Sequence, residues 1–335
     1  MAANKHYIYG ISCSRGGLLV TLSPLKLKKV NIMAENIKIG ILGGDRRQLV
    51  MAQCLSESFE CAVWGFDKIY GTADEEYLKK AVRCADWESA VKCSDAVILP
   101  LPASSDGKNL NCPLTKETEH GSPVPLTSVC EKLQIGSLLL GGMLPGIVKS
   151  YAAEHGVVSY DYYNSEELQI KNSVPTAEGA IAACITHMPI TVSGMRVVIT
   201  GYGRCGRTLA TRLKLLGADV FVAARSVKDL SWASVDGCIP IPLEEYREYP
   251  VHCEAVFNTV PFRIFDGELL SILPKDTVIF ELATANSGVD LTEAERLGIK
   301  VISLPSRPGK TSPSSAGEII CAVVRDKLYS HFERR

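Results

Sequence analysis

The stretch Arg196-Val197-Val198-Ile199-Thr200-Gly201-Tyr202-Gly203-Arg204-Cys205-Gly206 decides the fold. It runs from an apolar strand, through Gly-x-Gly-x-x-Gly, into a helix carrying Leu209, Ala210, Leu213, Leu215 and Leu216 and capped by Gly217. A lone triplet of glycines is a weak signal, but a strand before it and a helix after it make a dinucleotide loop. Gly201 permits the tight turn, and Gly203 leaves room for a pyrophosphate to approach the backbone. Gly206 lets the helix pack closely on the strand, so that its N-terminal N–H groups meet the phosphates. Arg204 and Cys205 complete the loop.

The next strand, Asp219-Val220-Phe221-Val222-Ala223, ends at Ala224-Arg225-Ser226. A site for NAD places an Asp or Glu here to hold the ribose 2′-hydroxyl. None stands at 223–226, and Arg225 and Ser226 offer a guanidinium and a hydroxyl to a 2′-phosphate. The expected cofactor is therefore NADP, ahead of NAD; the plainer alternative for Arg225 is a solvated loop arginine. Asn258-Thr259-Val260-Pro261 and Glu281-Leu282-Ala283 end further strands. Ligands of such sheets bind at the carboxyl ends of the strands, so these residues are expected on the nicotinamide side, or else are simple strand-end turns.

Outward from this unit, the upstream sequence repeats the strand–helix alternation. Ile37-Lys38-Ile39-Gly40-Ile41-Leu42, Cys61-Ala62-Val63-Trp64, Asp95-Ala96-Val97-Ile98-Leu99 and Ser137-Leu138-Leu139-Leu140 read as strands with helical patterns between them. Alternation of this kind predicts parallel sheets. The expected fold class is α/β: two Rossmann-like, doubly wound domains joined by a long helix, with a C-terminal helix that can cross back. The expected boundaries are 37–165 for a substrate-side domain, 166–190 for the linking helix, 191–310 for the NADP-binding domain and 311–335 for the last helix. The linking helix reads as two pieces broken around Val174-Pro175. Residues 1–36 lack periodicity and read as an extension, either disordered or upstream of a genuine start at Met33. The irregular stretch 101–133 is expected to be a functional loop or a small hairpin.

Three further segments carry candidate chemistry. Gly43-Gly44-Asp45-Arg46-Arg47-Gln48 also joins a strand to a helix but lacks the third glycine. Arginines in a first helical turn oppose the macrodipole. Asp45, Arg46 and Arg47 therefore form a mouth for an acidic substrate, or Arg46 and Arg47 merely face solvent. Pro175-Thr176-Ala177-Glu178-Gly179 reads as a helix start, where Thr176 and Glu178 are either ordinary first-turn residues or acid–base groups facing a cleft. The Pro/Gly/Ser-rich run from Ser306 to Gly317, with Arg307 and Lys310, is either a surface loop or a closure over an anion.

Composition narrows the classes. The chain has 335 residues, 46% hydrophobic and 22% charged, with a net charge of −1. Its charge balance marks no nucleic-acid or membrane-surface binder, and no apolar run is long enough to span a bilayer. Its 12 cysteines contain no Cys-x-x-Cys pair and its six histidines show no zinc spacing, which points to reduced thiols and no metal. A 2-hydroxyacid or alanine-dehydrogenase plan is a second reading. A hydroxyacid enzyme needs a His–acid pair in the cofactor domain, however, and the only histidines after His187 are His252 and His331. A third reading is a nucleotide-binding subunit that is inactive without its partner.

Together these pieces resemble the family of the dipicolinate synthase A-subunit of spore-forming bacteria. The matching residues are Ile39 to Asp45 with Arg47-Gln48; Asn172 to Thr176 with Glu178-Gly179; Gly201, Gly203, Arg204 and Gly206; Ala224-Arg225-Ser226; Asn258-Thr259 and Pro261; and Pro313 with Ala316-Gly317. The resemblance implies NADP-dependent oxidation of a dihydrodipicolinate-type intermediate of the lysine pathway to pyridine-2,6-dicarboxylate. It also implies a second, flavoprotein-like dipicolinate synthase B-subunit as partner, with the reaction placed in the mother-cell cytoplasm during sporulation; homo-oligomers are compatible with it. Arg46 stands where the family more often has a small residue, so Arg47 is the safer carry-over. Thr284 to Gly288, Ser306 to Gly309 and Ser314-Ser315 also depart from the family's turns.

Overall fold

A computed structural model describes residues 37–116, 123–283, 288–304 and 307–333. The N-terminal extension and the departing turn at Thr284 to Ser287 lie outside the described residues. The chain forms β1 Lys38–Leu42, β2 Glu60–Trp64, β3 Val82–Arg83, β4 Ala96–Ile98, β5 Leu138–Gly141, β6 Val158–Asp161, β7 Arg196–Thr200, β8 Asp219–Ala224, β9 Ile239–Pro242, β10 Ala255–Asn258, β11 Val278–Glu281 and β12 Lys300–Ser303. They make two sheets, ordered β3-β2-β1-β4-β5-β6 and β12-β11-β10-β7-β8-β9. Every strand pair is parallel. Each sheet therefore starts at its centre, winds outward, then crosses back, which puts a switch point between β1 and β4 and another between β7 and β10. The central strands are buried along their length, as expected where helices cover both faces.

Two strands escape the sequence reading. Val82–Arg83 is a two-residue, exposed edge. Ile239–Pro242 contains two prolines, which an edge tolerates because one side of an edge strand needs no N–H.

The linking helix, Glu166–His187, is a single helix rather than two pieces, and Pro175 lies in its interior. An interior proline costs about 3 kcal/mol or more through the lost bond and the ring clash. Burial offsets that cost: Leu168 packs into the first core, and Ala177, Ala180, Ile181 and Cys184 pack into the second. The Ser173 hydroxyl meets the Thr208 hydroxyl at 2.8 Å, holding the helix on its neighbour Arg204–Leu215. Thr176 and Glu178 are consequently mid-helix residues.

From Arg307 on, the Pro/Gly/Ser-rich run is also largely helical. A short helix, Arg307–Thr311, precedes the terminal helix, Pro313–Phe332. The terminal helix does cross back. Ile320, Cys321, Val323, Val324 and Leu328 belong to the core of the first sheet, and Tyr329 packs its ring 5.4 Å from Phe59. Gly317 makes the contact close, since a Cβ there would sit 2.6 Å from Val50 Cβ on helix Arg46–Leu55. In the stretch 101–133, Asn109 and Pro125 form an antiparallel bridge and Leu126–Lys132 a helix.

Candidate functional site

The second switch point carries the glycine loop. Gly201 has φ +84°, where an L side chain is strained. A Cβ at Gly206 would lie 2.2 Å from Gly201 O, whereas one at Gly203 would meet nothing within 4 Å. The three positions thus divide as the sequence predicts: one for the turn, one for open approach, one for close packing. Gly203 is the N-cap of helix Arg204–Leu215 and has no side chain to satisfy the helix's first N–H groups. A pyrophosphate fits that vacancy in hydrogen bonding.

Three side chains missed by sequence reasoning hold this loop. The buried Tyr202 donates its hydroxyl to Asp236 Oδ2 at 2.9 Å, and Arg207 Nε donates to the same oxygen at 2.8 Å. Asp236 lies beyond the next strand and helix, so no local pattern marks it. Arg204 Nη1 reaches Glu166 Oε2 at 2.6 Å and joins the loop to the start of the linking helix. Burial pushes the Cys205 thiol above its ordinary pKa.

A cavity of about 520 Å³ opens beside the loop, at the ends of β7 and β8. Gly201, Ala224, Arg225, Ser226, Val260 and Phe262 are among its walls. Three arginines line it. Arg247 is taken by Asp266 at 2.7 Å and Arg263 by Asp290 at 3.0 Å. Arg225 has no carboxylate partner among the described residues, and its guanidinium carbon lies 5.9 Å from the centre of the Phe262 ring. Ser226 is engaged as an N-cap, accepting from Asp229 N at 3.4 Å. Asp229 and Glu244 also line the cavity. The absence of an acid at 223–226 therefore does not leave the cavity without carboxylates. They arrive from later elements that the strand-end pattern does not cover.

The strand ends on the other side of the loop differ from expectation. Asn258 is fully buried and has no atom to spare. Its Oδ1 accepts from Thr200 Oγ1 at 2.6 Å and from Val260 N at 3.2 Å. Its Nδ2 donates to Glu281 and to Val260 O. Asn258 thus holds the strand ends together instead of offering an amide to a ligand. Thr259 Oγ1 is likewise turned to Thr200 O at 2.8 Å. Val260, Leu282 and Ala283 are half-buried and Pro261 is exposed along the same edge.

In the first unit, Asp45 caps helix Arg46–Leu55 by accepting from Arg47 N at 3.0 Å. The two arginines part company here. Arg46 makes a bidentate, surface pair with Asp74, at 2.7 and 2.8 Å. Arg47 is buried; its Nη2 donates to Asp45 Oδ2 at 2.7 Å and to Leu101 O at 2.5 Å. The short helix covers this pair: a Cβ at Gly309 would fall 2.9 Å from both Arg47 Nε and Asp45 Oδ2. Lys310, the next residue, is exposed. Arg46 is thus not part of one arginine mouth with Arg47, and the mouth lies under the C-terminal segment.

Thr176 and Glu178 do not reach the glycine loop. Thr176 Oγ1 donates back to Asn172 O at 2.8 Å. Glu178 pairs at 3.6 Å with Arg212. Arg212 lies two turns, about 12 Å, along its helix from Arg204.

Residues 38–163 match the family described as the N-terminal domain of the dipicolinate synthase A-subunit. The A-subunit of dipicolinate synthase from Bacillus subtilis (strain 168) is 29% identical over 297 residues, spanning 88% of this chain and 97% of that protein. Its crystal structure superposes with a TM-score of 0.78 at 28% identity, covering 90% of this chain and 99% of that one. The corresponding Bacillus halodurans structure gives the same TM-score at 25% identity, covering 88% and 99%. An L-alanine dehydrogenase structure shares the fold alone, at 15% identity, TM-score 0.60 and coverage of 87% and 89%. The plan these structures share with the chain is two α/β domains built on parallel sheets.

Proposed function

The chain is a homologue of the dipicolinate synthase A-subunit over nearly the whole of that protein, and for it we propose NADP-dependent oxidation of a dihydrodipicolinate-type intermediate of the lysine pathway to dipicolinate. The place of this reaction is the mother-cell cytoplasm during sporulation, in company with a flavoprotein-like second subunit. The single observation that carries the reading is the open cradle at Gly203, set between the tight turn at Gly201 and the close packing at Gly206, at a sheet's switch point.

The Gly201–Gly206 loop would hold a nicotinamide dinucleotide, which would supply a hydride acceptor for a substrate ring that loses a proton as it becomes aromatic. Aromatisation supplies driving force, so the chain's own work is binding and orientation. The Arg204–Leu215 helix N-terminus and the Gly203 backbone hold the pyrophosphate. Arg225 is the cation for a 2′-phosphate, because its two arginine neighbours in the cavity already have carboxylates. On the substrate side, Lys310 is the exposed cation for a dicarboxylate, while Arg47, already paired with Asp45 beneath the short helix, adds its charge from below.

Two measurements test this. Tryptophan or NADPH fluorescence should titrate with NADPH more tightly than with NADH. Full chain given NADP⁺ and the unstable lysine-pathway intermediate, with and without the second subunit, should produce the absorbance of a pyridine dicarboxylate. No product in either arrangement would sink the proposal.

One observation favours a second reading, a nucleotide-binding subunit that turns over only with its partner. The residues offered for acid–base work are otherwise occupied: Glu178 by Arg212 and Thr176 by its own helix. Product formed only when the second subunit is present would select this reading. The hydroxyacid-dehydrogenase reading loses its histidine: His252 Nδ1 lies 2.7 Å from Arg196 Nη2 at the start of β7, the edge opposite the glycine loop.

A further inference from the structure

The mechanism leaves a buried carboxylate at the strand ends beside the glycine loop unused. Glu281, the last residue of β11, is 3% exposed. Its carboxylate accepts Asn258 Nδ2 on both oxygens, at 3.0 and 2.9 Å, and Ala283 N at 2.9 Å. The backbone N–H of Gly288 donates to it as well. Thr200 Oγ1, by donating to Asn258 Oδ1, fixes which end of the amide faces the carboxylate. Among the described residues, each hydrogen-bond partner of the Glu281 carboxylate is a donor, and an acceptor-only carboxylate is the form that satisfies them all. No cation among the described residues contacts it. Burial pushes its pKa up, so the donors work against desolvation to keep a net negative charge inside the protein.

The position of this charge gives it a consequence. The cavity with Arg225 lies on the β8 side of the glycine loop, and Glu281 lies on the β10–β11 side. A dinucleotide whose pyrophosphate sits at Gly203 and whose adenosine takes the β8 side must extend its nicotinamide toward β10 and β11. The nicotinamide ring carries a positive charge when oxidised and none when reduced. We propose that Glu281 selects the redox form of the coenzyme, its buried carboxylate favouring the oxidised ring over the reduced one. This inference rests on the cofactor reading above. It gives the site a direction, toward taking up hydride.

The test is calorimetric titration of the full chain with NADP⁺, NADPH, NAD⁺ and NADH, in the wild type, Glu281→Gln and Glu281→Asp. The ratio of the two Kd values within each redox pair is the readout. Glu281→Gln should lower the preference for the oxidised form by roughly three- to tenfold, the size expected for one unit charge acting across a few side-chain widths. Glu281→Asp should keep the ratio even where it weakens both forms. A purely structural residue would weaken oxidised and reduced coenzyme alike, and an unchanged ratio in Glu281→Gln overturns the inference. Should Glu281→Gln fail to melt cooperatively, the wild-type ratio still decides: NADPH bound more than about tenfold tighter than NADP⁺ also overturns it. If the wild type binds no coenzyme in either form, the cofactor reading falls, and the inference with it. Binding with an unmoved ratio removes the inference alone.

Discussion

Arg225 and Cys54 show how a single residue's partners set what it can do. Among the described residues, Arg225 keeps a guanidinium without a carboxylate in a cavity where Arg247 and Arg263 have theirs. A hydrogen bond to a charged group contributes about 1.5–3 kcal/mol. Arg225→Ala should therefore raise the Kd for NADPH by about 10- to 100-fold and leave that for NADH nearly unchanged, as read by fluorescence titration. Equal losses for the two would remove the 2′-phosphate role. Cys54 is half-buried, and a hydrogen bond from the Cys321 thiol lowers its pKa from 9.0 to about 7. Cys61, Cys130 and Cys184 are pushed the other way by burial, to about 11. Since the thiolate is the nucleophile, iodoacetamide should label Cys54 ahead of these three. Its rate should rise with pH through a midpoint near 7, and Cys321→Ala should move that midpoint up toward the ordinary thiol value. Mass spectrometry of the alkylated peptides reads both outcomes.

At the scale of elements, the terminal helix is the clearest case of tertiary structure overriding local signals. Leu328 is fully buried in the first sheet's core, although the last strand of that sheet ends as far back as Asp161. Leu328→Ala should destabilise the protein by about 2–5 kcal/mol, seen as a lowered urea midpoint, without altering coenzyme affinity for the folded protein. Most elements were legible in the sequence, because buried parallel strands are unbroken apolar runs and the glycine triplet has one structural use. Legibility ended where a local rule was outweighed from a distance. Pro175 looked like a break until the burial on either side of it was visible, and the short helix over Arg47 was hidden in a Pro/Gly/Ser run. The site was legible to a similar depth. Gly201, Gly203 and Gly206, whose part is backbone geometry, have the tight turn, the open approach and the close packing that the pattern predicts. Residues assigned by side-chain chemistry, Asn258 and Glu178, proved to have partners on a neighbouring strand or helix that spacing does not show.

The whole molecule adds polarity. In a parallel sheet all carboxyl ends lie at one edge, so the glycine loop, the cavity and Glu281 share an edge that His252 does not. His252→Ala should leave Kd for NADPH within about twofold of wild type in the same titration; a larger loss would mean the coenzyme reaches the far edge. The crossing of the last helix has a bearing on biosynthesis. The first sheet emerges from the ribosome early, but part of its core, Ile320 to Leu328, follows much later in the chain. At about 5–20 residues per second, that part follows the sheet by roughly 10–30 s. During the interval Phe59 and its neighbours await their covering, so the nascent chain is expected to need a holding chaperone or a slow final docking step. Stalled chains ending before Pro313 should be cleaved by protease within the first sheet, where the finished protein resists.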